Sequence, residues 1–290
     1  MKKNSFFISL VLWFILICFG SSQAATIVRV NQAKIRLSIA PGSAKAGSII
    51  IDNPSERSKY IKAYLEDWYY LPSADGSKDF KPSGTTELSC ADWINFVPAE
   101  FSLAPFGREV VNYTVRVPQD AKGGHYAILF FEHTRDPQDS MAEGVGVGIS
   151  VRVGSLIYIE AEGTIERKAE LYNPVIERDS NDSDLIVSLD FQNTGNIDLT
   201  AGGSFDIIDK EGMVFARGEF NNVYTFGGEK AKFIGSWSLP LERGKYDLIL
   251  TIDIGKALAE TNMGKGPVIV KELELEIGRK GEVIRVGDLK

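Results

Sequence analysis

The sequence predicts an all-β protein built from two β-sandwich domains in tandem behind a leader, and three observations carry that prediction. From residue 26 onward no long stretch shows the 3.6-residue apolar period of an amphipathic helix. Short runs rich in β-branched and aromatic residues recur instead, separated by Gly, Pro, Asn and Asp turn signals. These runs fall into two sets, divided where apolar density drops through Glu160, Glu162, Gly163 and Thr164. A length of 290 residues agrees with two domains.

The leader comes first. Lys2 and Lys3 precede an apolar run from Phe6 to Phe19, broken only by Ser9, and Gly20, Ser21, Ser22, Gln23, Ala24 and Ala25 follow. A basic start, a short apolar stretch and small residues after it describe a secretory signal peptide. The run is too short for a membrane span, which needs about 20 residues. Cleavage after Ala24 places Ser22 and Ala24 at the two small-residue positions, with Ala25 as second choice. Ile17 before Cys18 argues against a lipid-attachment cysteine, which wants a small residue there. Removing residues 1–24 takes away two lysines and no acid, so the net charge of −7 becomes −9. Cys18 goes as well, leaving Cys90 as the sole thiol. An exported chain with one cysteine has no internal disulfide, so packing must hold it together.

The first set of strands spans residues 25–160. Ile49, Ile50 and Ile51 run into the stop Asn53-Pro54-Ser55. From Tyr60 to Leu71 the chain alternates, with Ile61, Ala63 and Leu65 on one face and Lys62, Tyr64 and Glu66 on the other. Such alternation sets one face on a core and one in solvent. Phe96 to Pro105 reads as one extended piece, and Val110 to Val117 alternates again before Pro118. Tyr126 to Glu132 is nearly all apolar, as in a central strand. Val145, Val147, Ile149, Val151 and Val153 then alternate with Gly146, Gly148, Ser150 and Arg152.

The second set spans 161–278. It comprises Leu185 to Phe191, a turn at Asn193-Thr194-Gly195-Asn196, and Gly203 to Ile208. A hairpin turn at Asp209-Lys210-Glu211-Gly212 leads to Met213 to Phe220, Ala231 to Leu239, Tyr246 to Ile254 and Pro267 to Ile277. Residues 256–263 fit one helical turn, and 279–290 read as a polar tail. About seven short strands per domain describe immunoglobulin-like sandwiches.

Composition weighs against catalysis. Lys+Arg 32 against Asp+Glu 39 leaves no basic face for nucleic acid. The two histidines, His125 and His133, lie eight residues apart on one strand face, about 27 Å apart, too far to share a metal. No nucleophile motif surrounds them or Cys90. Gly144 to Ile149 lacks a following helix for phosphate. Asp179, Asn181 and Ser183 begin like a calcium loop but lack its glycine and distal glutamate. Trp68, Trp93 and Trp237 read as core or rim packing. We therefore expect no enzyme, no cofactor and no metal.

Two stretches carry a resemblance. Ser89 to Gly107 contains Pro98, Phe101, Leu103, Pro105 and Gly107, and Gly123 to Glu132 follows after Val110 to Pro118. The first resembles the segment that precedes the fifth strand, and Gly123 to Glu132 the sixth strand, of bacterial periplasmic pilus-assembly chaperones of the PapD type. The loop from His133 to Gly144 and the strand from Val145 follow in that family's order, and Ile35-Arg36-Leu37 to Asn53-Pro54 resembles its first two strands. The match covers about 130 residues of the first domain.

The resemblance implies a chaperone that holds a pilus or surface-protein subunit by pairing it with an edge strand. In such chaperones two basic residues in the interdomain cleft anchor the subunit's terminal carboxylate. Arg36 takes the first position. The second, near the end of the seventh strand, reads Val153-Gly-Ser-Leu-Ile-Tyr here, and Arg152 is the nearest basic residue. Val145, Val147, Ile149 and Val151 supply the apolar row, whether at an exposed edge or against their own domain's core. The implied location is the periplasm or another extracytoplasmic space. An outer-membrane usher is the implied second partner, and no membrane span remains once the leader is removed. The second domain resembles a generic bacterial immunoglobulin-like module. The pair also resembles WxL-interacting surface proteins, which share the Trp-Ile, Pro, Phe and Leu pattern. That alternative is a structural or adhesive envelope module binding a cell-wall partner. Its members usually end in a membrane helix and basic tail, a pattern that residues 278–290 do not show.

Overall fold

The computed structural model describes residues 28–134, 151–178, 184–239, 241–260 and 266–290. The proposed leader, Val145, Val147 and Ile149, and the acidic loop 179–183 lie outside these residues. The described residues form nineteen strands, one short α-helix and one 3-10 turn at Ala91–Trp93.

The first ten strands make two facing sheets. One contains β1 (Arg29–Val30), β3 (Ala44–Asp52), β8 (Arg108–Arg116) and β6 (Ile94–Val97), in that order. The other runs β2 (Lys34–Ile39), β10 (Val151–Ala161), β9 (Gly124–Thr134), β4 (Lys59–Tyr70) and β5 (Lys78–Pro82), with β7 (Glu100–Leu103) also pairing with β4. Ile49, Ile51, Ile61, Val111, Leu129, Phe131, Ile157 and Ile159 meet between the sheets, each 0% exposed. The β9 strand is central, as its continuous apolar run predicts, because both its edges are paired and both its faces are covered.

Residues 96–105 depart from the single extended piece expected. They contribute to two strands in opposite sheets, β6 against β8 and β7 against β4, so the chain crosses the sandwich between them. Cys90 lies just before this crossing, fully buried. Burial, and then the nearby Asp67 carboxylate, pushes its thiol well above the ordinary range. Asp67 is itself buried and accepts hydrogen bonds from the Gly84, Thr85 and Thr86 amides and the Ser89 hydroxyl, which shapes the loop leading to Cys90.

The remaining strands make a second pair of sheets. One holds β11 (Ala169–Arg178), β12 (Leu185–Asn193) and β16 (Lys230–Trp237). The other runs β14 (Val214–Glu219), β13 (Leu199–Ile208), β17 (Gly244–Asp253), β18 (Val268–Ile277) and β19 (Val283–Val286), with β15 (Val223–Thr225) on β13. The helix α1 (Lys256–Glu260) falls where one helical turn is expected. Gly212 turns the β13–β14 hairpin at φ +80°, donating its amide to the Asp209 carbonyl. The polar tail needs correction. Within 279–290, Val283–Val286 is a strand hydrogen-bonded to β18, and Val283, Val286 and Leu289 pack on the core. Intervening Gly, Arg and Asp residues dilute that apolar pattern in the sequence, but an edge strand needs only one buried face.

Candidate functional site

Strand β10 organises the candidate site, because its two faces and two edges have different neighbours. Its odd residues face the first-domain core: Ile157, Ile159 and Ala161 are buried in it and Val153 packs against it. Its even residues face outward. There Tyr158 joins Trp68, Tyr70, Tyr126, Ile128 and Phe130 in a separate apolar cluster completed by Phe226 of the second domain. Alternation on β4 predicts an outer face in solvent, but at its far end that face is buried where the second domain packs: Trp68, expected in core or rim packing, and Tyr70 are both covered. Phe226 lies 4.3 Å from the Tyr126 ring, 4.9 Å from Tyr70 and 5.3 Å from Trp68.

Polar contacts pin this joint. The Tyr224 amide donates to the Ala74 carbonyl at 2.9 Å, and the Gly124 amide to the Asn196 carbonyl at 2.9 Å. Gly76, at φ +90°, passes so close to Tyr224 that a Cβ there would stand 2.9 Å from its ring. Beside the aromatic cluster Arg36 Nη1 donates to Glu160 at 3.0 Å and to Asp198 Oδ1 at 2.9 Å, and Nη2 to Asp198 Oδ2 at 2.5 Å. Arg167 holds the other Glu160 oxygen at 2.6 Å. The Asp198 amide donates to the Tyr126 hydroxyl at 2.7 Å, and that hydroxyl reaches Asp198 Oδ1 at 3.3 Å. Burial opposes the Arg36 charge, but Asp198 and Glu160 outweigh it and raise its proton affinity above the ordinary arginine value. Burial and the Asp198 charge push the Tyr126 hydroxyl well up, so it stays protonated.

Two lysines stand at the mouth of the joint. Lys34 lies 5.7 Å from the Tyr158 ring centre, and Lys78 lies 5.1 Å from Tyr70 and 5.6 Å from Trp68. Burial, and then Lys34 nearby, lowers the proton affinity of Lys78.

The edges of β10 differ along its length. Residues 156–161 pair with β2 in parallel register and, through residue 160, with β9 on the other side. The last contact toward β2 is the Leu156 amide on the Ala33 carbonyl at 2.9 Å, and the buried Ser155 hydroxyl ties off the end by donating to Gln32 at 2.6 Å. Before it, residues 151–155 pair with β9 alone among the described residues. Main-chain groups alternate between edges along a strand. Since Leu156 points toward β2, Gly154 and Arg152 direct their amides and carbonyls to the uncovered edge.

The structure thus places the sequence candidates apart. Arg36 lies in the joint, opposite Tyr158 in the β2–β10 register. Arg152 sits six residues earlier along β10, about 20 Å away. It donates to Glu66 at 2.8 Å and to the Tyr64 hydroxyl at 3.2 Å, and covers the Phe130 ring at 3.9 Å. Val151 is half-buried at the start of the open edge. Sequence reasoning missed Asp198, Glu160, Phe226, Lys34 and Lys78. Each is a common residue in an ordinary strand or turn, and no local pattern singles it out.

No family model matches the chain, and no curated protein matches it. Among solved structures it is similar to a chain of a chaperone–tip adhesin complex of CFA/I fimbriae biogenesis, at 11% identity and TM-score 0.46, covering 84% of this chain and 98% of that one. It is also similar to the Class 5 fimbriae chaperone CfaA, at 12% identity and TM-score 0.43, covering 85% and 98%. A third likeness is to the E. coli chaperone DraB, at 12% identity and TM-score 0.42, covering 84% and 95%.

Proposed function

We propose that this chain is a non-enzymatic periplasmic chaperone that holds a subunit of a pilus or surface structure by β-augmentation along the open half of β10. The observation that carries this reading is the edge at residues 151–155, uncovered among the described residues, where Arg152 and Gly154 point main-chain groups away from β9. An edge of this kind pairs with an incoming strand through backbone bonds, while alternate side chains choose the strand. Val151 and Val153 provide such side chains, and the sequence extends their period upstream through Ile149, Val147 and Val145. Arg152, stacked on Phe130, borders the edge on the outer face. An outer-membrane usher is the second partner this reading implies.

The backbone itself allows the test. Proline removes an amide donor and is tolerated in an edge strand where that amide faces away from the sheet. Arg152→Pro should therefore leave the β9 pairing intact and abolish capture of a pilin-type subunit co-expressed in the periplasm; Gly154 does not suit this test, because a Cβ there would stand 2.6 Å from Ile128. Val153→Pro, which removes an amide on the paired side, should destabilise the fold instead. If the Arg152→Pro variant folds and still captures the subunit at wild-type strength, the edge is not the binding site and the surface-module reading takes its place.

A further inference from the structure

We infer that Arg36 is a positioning residue, the pin that sets the second sandwich against the first, and that it is not the group that receives a client's anion. The second half of this inference rests on the chaperone reading; the first half does not.

The argument starts from the guanidinium's partners. Two of its N–H groups grip both oxygens of Asp198, the residue just before β13, and a third reaches Glu160 near the end of β10. A forked pairing of this kind fixes orientation as well as distance. Asp198 is held from the other side by the Tyr126 hydroxyl, and Glu160 by Arg167. Two arginines therefore face two carboxylates and the charges cancel within the joint. The Arg36, Asp198 and Glu160 side chains are 1%, 0% and 4% exposed, so solvent does not screen the pairs. An anion entering from outside would have to expel Asp198 and leave a buried carboxylate uncompensated, an unfavourable exchange. The Arg36 Nε has no hydrogen-bond partner among the described residues, but it too is closed off from solvent. The cations at the mouth of the joint are Lys34 and Lys78, both only partly buried over aromatic rings.

Two measurements test this. The first needs no ligand: thermal melts and small-angle scattering of the full chain carrying Arg36→Met, Asp198→Asn, or both. A pin predicts that each single change lowers the melting temperature by several degrees and alters the scattering profile. The double variant should melt no lower than the worse single. Arg36→Lys, which keeps the charge but loses the fork, should also melt lower. If Asp198→Asn changes neither melting nor scattering, the pin is disproved.

The second measurement compares two synthetic peptides of alternating valine and threonine, one with a free C-terminal carboxylate and one amidated. Any preference of the wild type for the carboxylate should persist in Arg36→Met, or in Arg36→Lys if the first does not fold. Loss of that preference in the Arg36 variant, with its retention in Asp198→Asn, would overturn the inference and make Arg36 the anchor. If the wild type binds neither peptide, the chaperone reading is what fails, and the first measurement still decides the pin.

Discussion

Along β10, residues 156–161 lie beside β2 and β9 and under the second domain, whereas residues 151–155 have β9 on one side alone among the described residues. Both halves alternate, and both send odd side chains toward the same core. They differ in what covers the outer face and the second edge. In the later half the outer face carries Tyr158 and Glu160, a ring and a charge that need a matching surface; Phe226 of the second domain joins the cluster around the ring, and Arg36 and Arg167 match the charge. In the earlier half the outer face carries Arg152 and Gly154, satisfied by the first domain's own Glu66, Tyr64, Ile128 and Phe130. A strand can thus be structural at one end and free to recruit at the other, because main-chain pairing is settled residue by residue.

That contrast can be broken most strongly at the joint. Phe226→Ala removes the ring seated among Trp68, Tyr70 and Tyr126 and should cost about 3–5 kcal/mol. Urea unfolding measures it, and an unchanged midpoint would show that the joint does not contribute in solution. Within β10 itself, Ile157→Ala, at a site 0% exposed, should cost about 2–5 kcal/mol. The equivalent Val151→Ala at the half-buried open end should cost under about 1 kcal/mol. Equal costs at the two positions would mean that the open half is packed as tightly as the covered one.

Smaller effects sharpen the picture beside the joint. Cys90→Ala should cost about 1–2 kcal/mol, and native Cys90 should resist a thiol reagent until denaturant is added, since its thiol is buried and pushed up. Rapid labelling of the native protein would contradict this. His125 gives the smallest effect. Burial lowers its proton affinity below the ordinary value of about 6.5, opposed by backbone carbonyl bonds from Lys122 and Ser89. The unfolded chain therefore takes up this proton first. The stability held above about pH 6.5 should be lost as pH falls through the lower folded value. Comparing urea midpoints of wild type and His125→Gln across that window should show a shallower acid slope in the variant; parallel slopes would rule His125 out as a contributor.

Sequence alone determined the all-β class, the two sets of strands and the inward face of β4, because a period of two is written into each strand and burial of one face follows from it; for the valine row leading into β10 it left open whether that face meets the core or an exposed edge. Only the tertiary structure decided that residues 96–105 divide between opposite sheets, that β19 completes a sheet at 283–286, and that it is the second domain that covers Trp68 and Tyr70. It alone paired Arg36 with Asp198, 162 residues away in sequence. The physical reason is the same in each case: alternation records which side of a strand is apolar, but not which surface will cover it. An ion pair leaves no periodic trace, and an open edge exists only because another strand stops short.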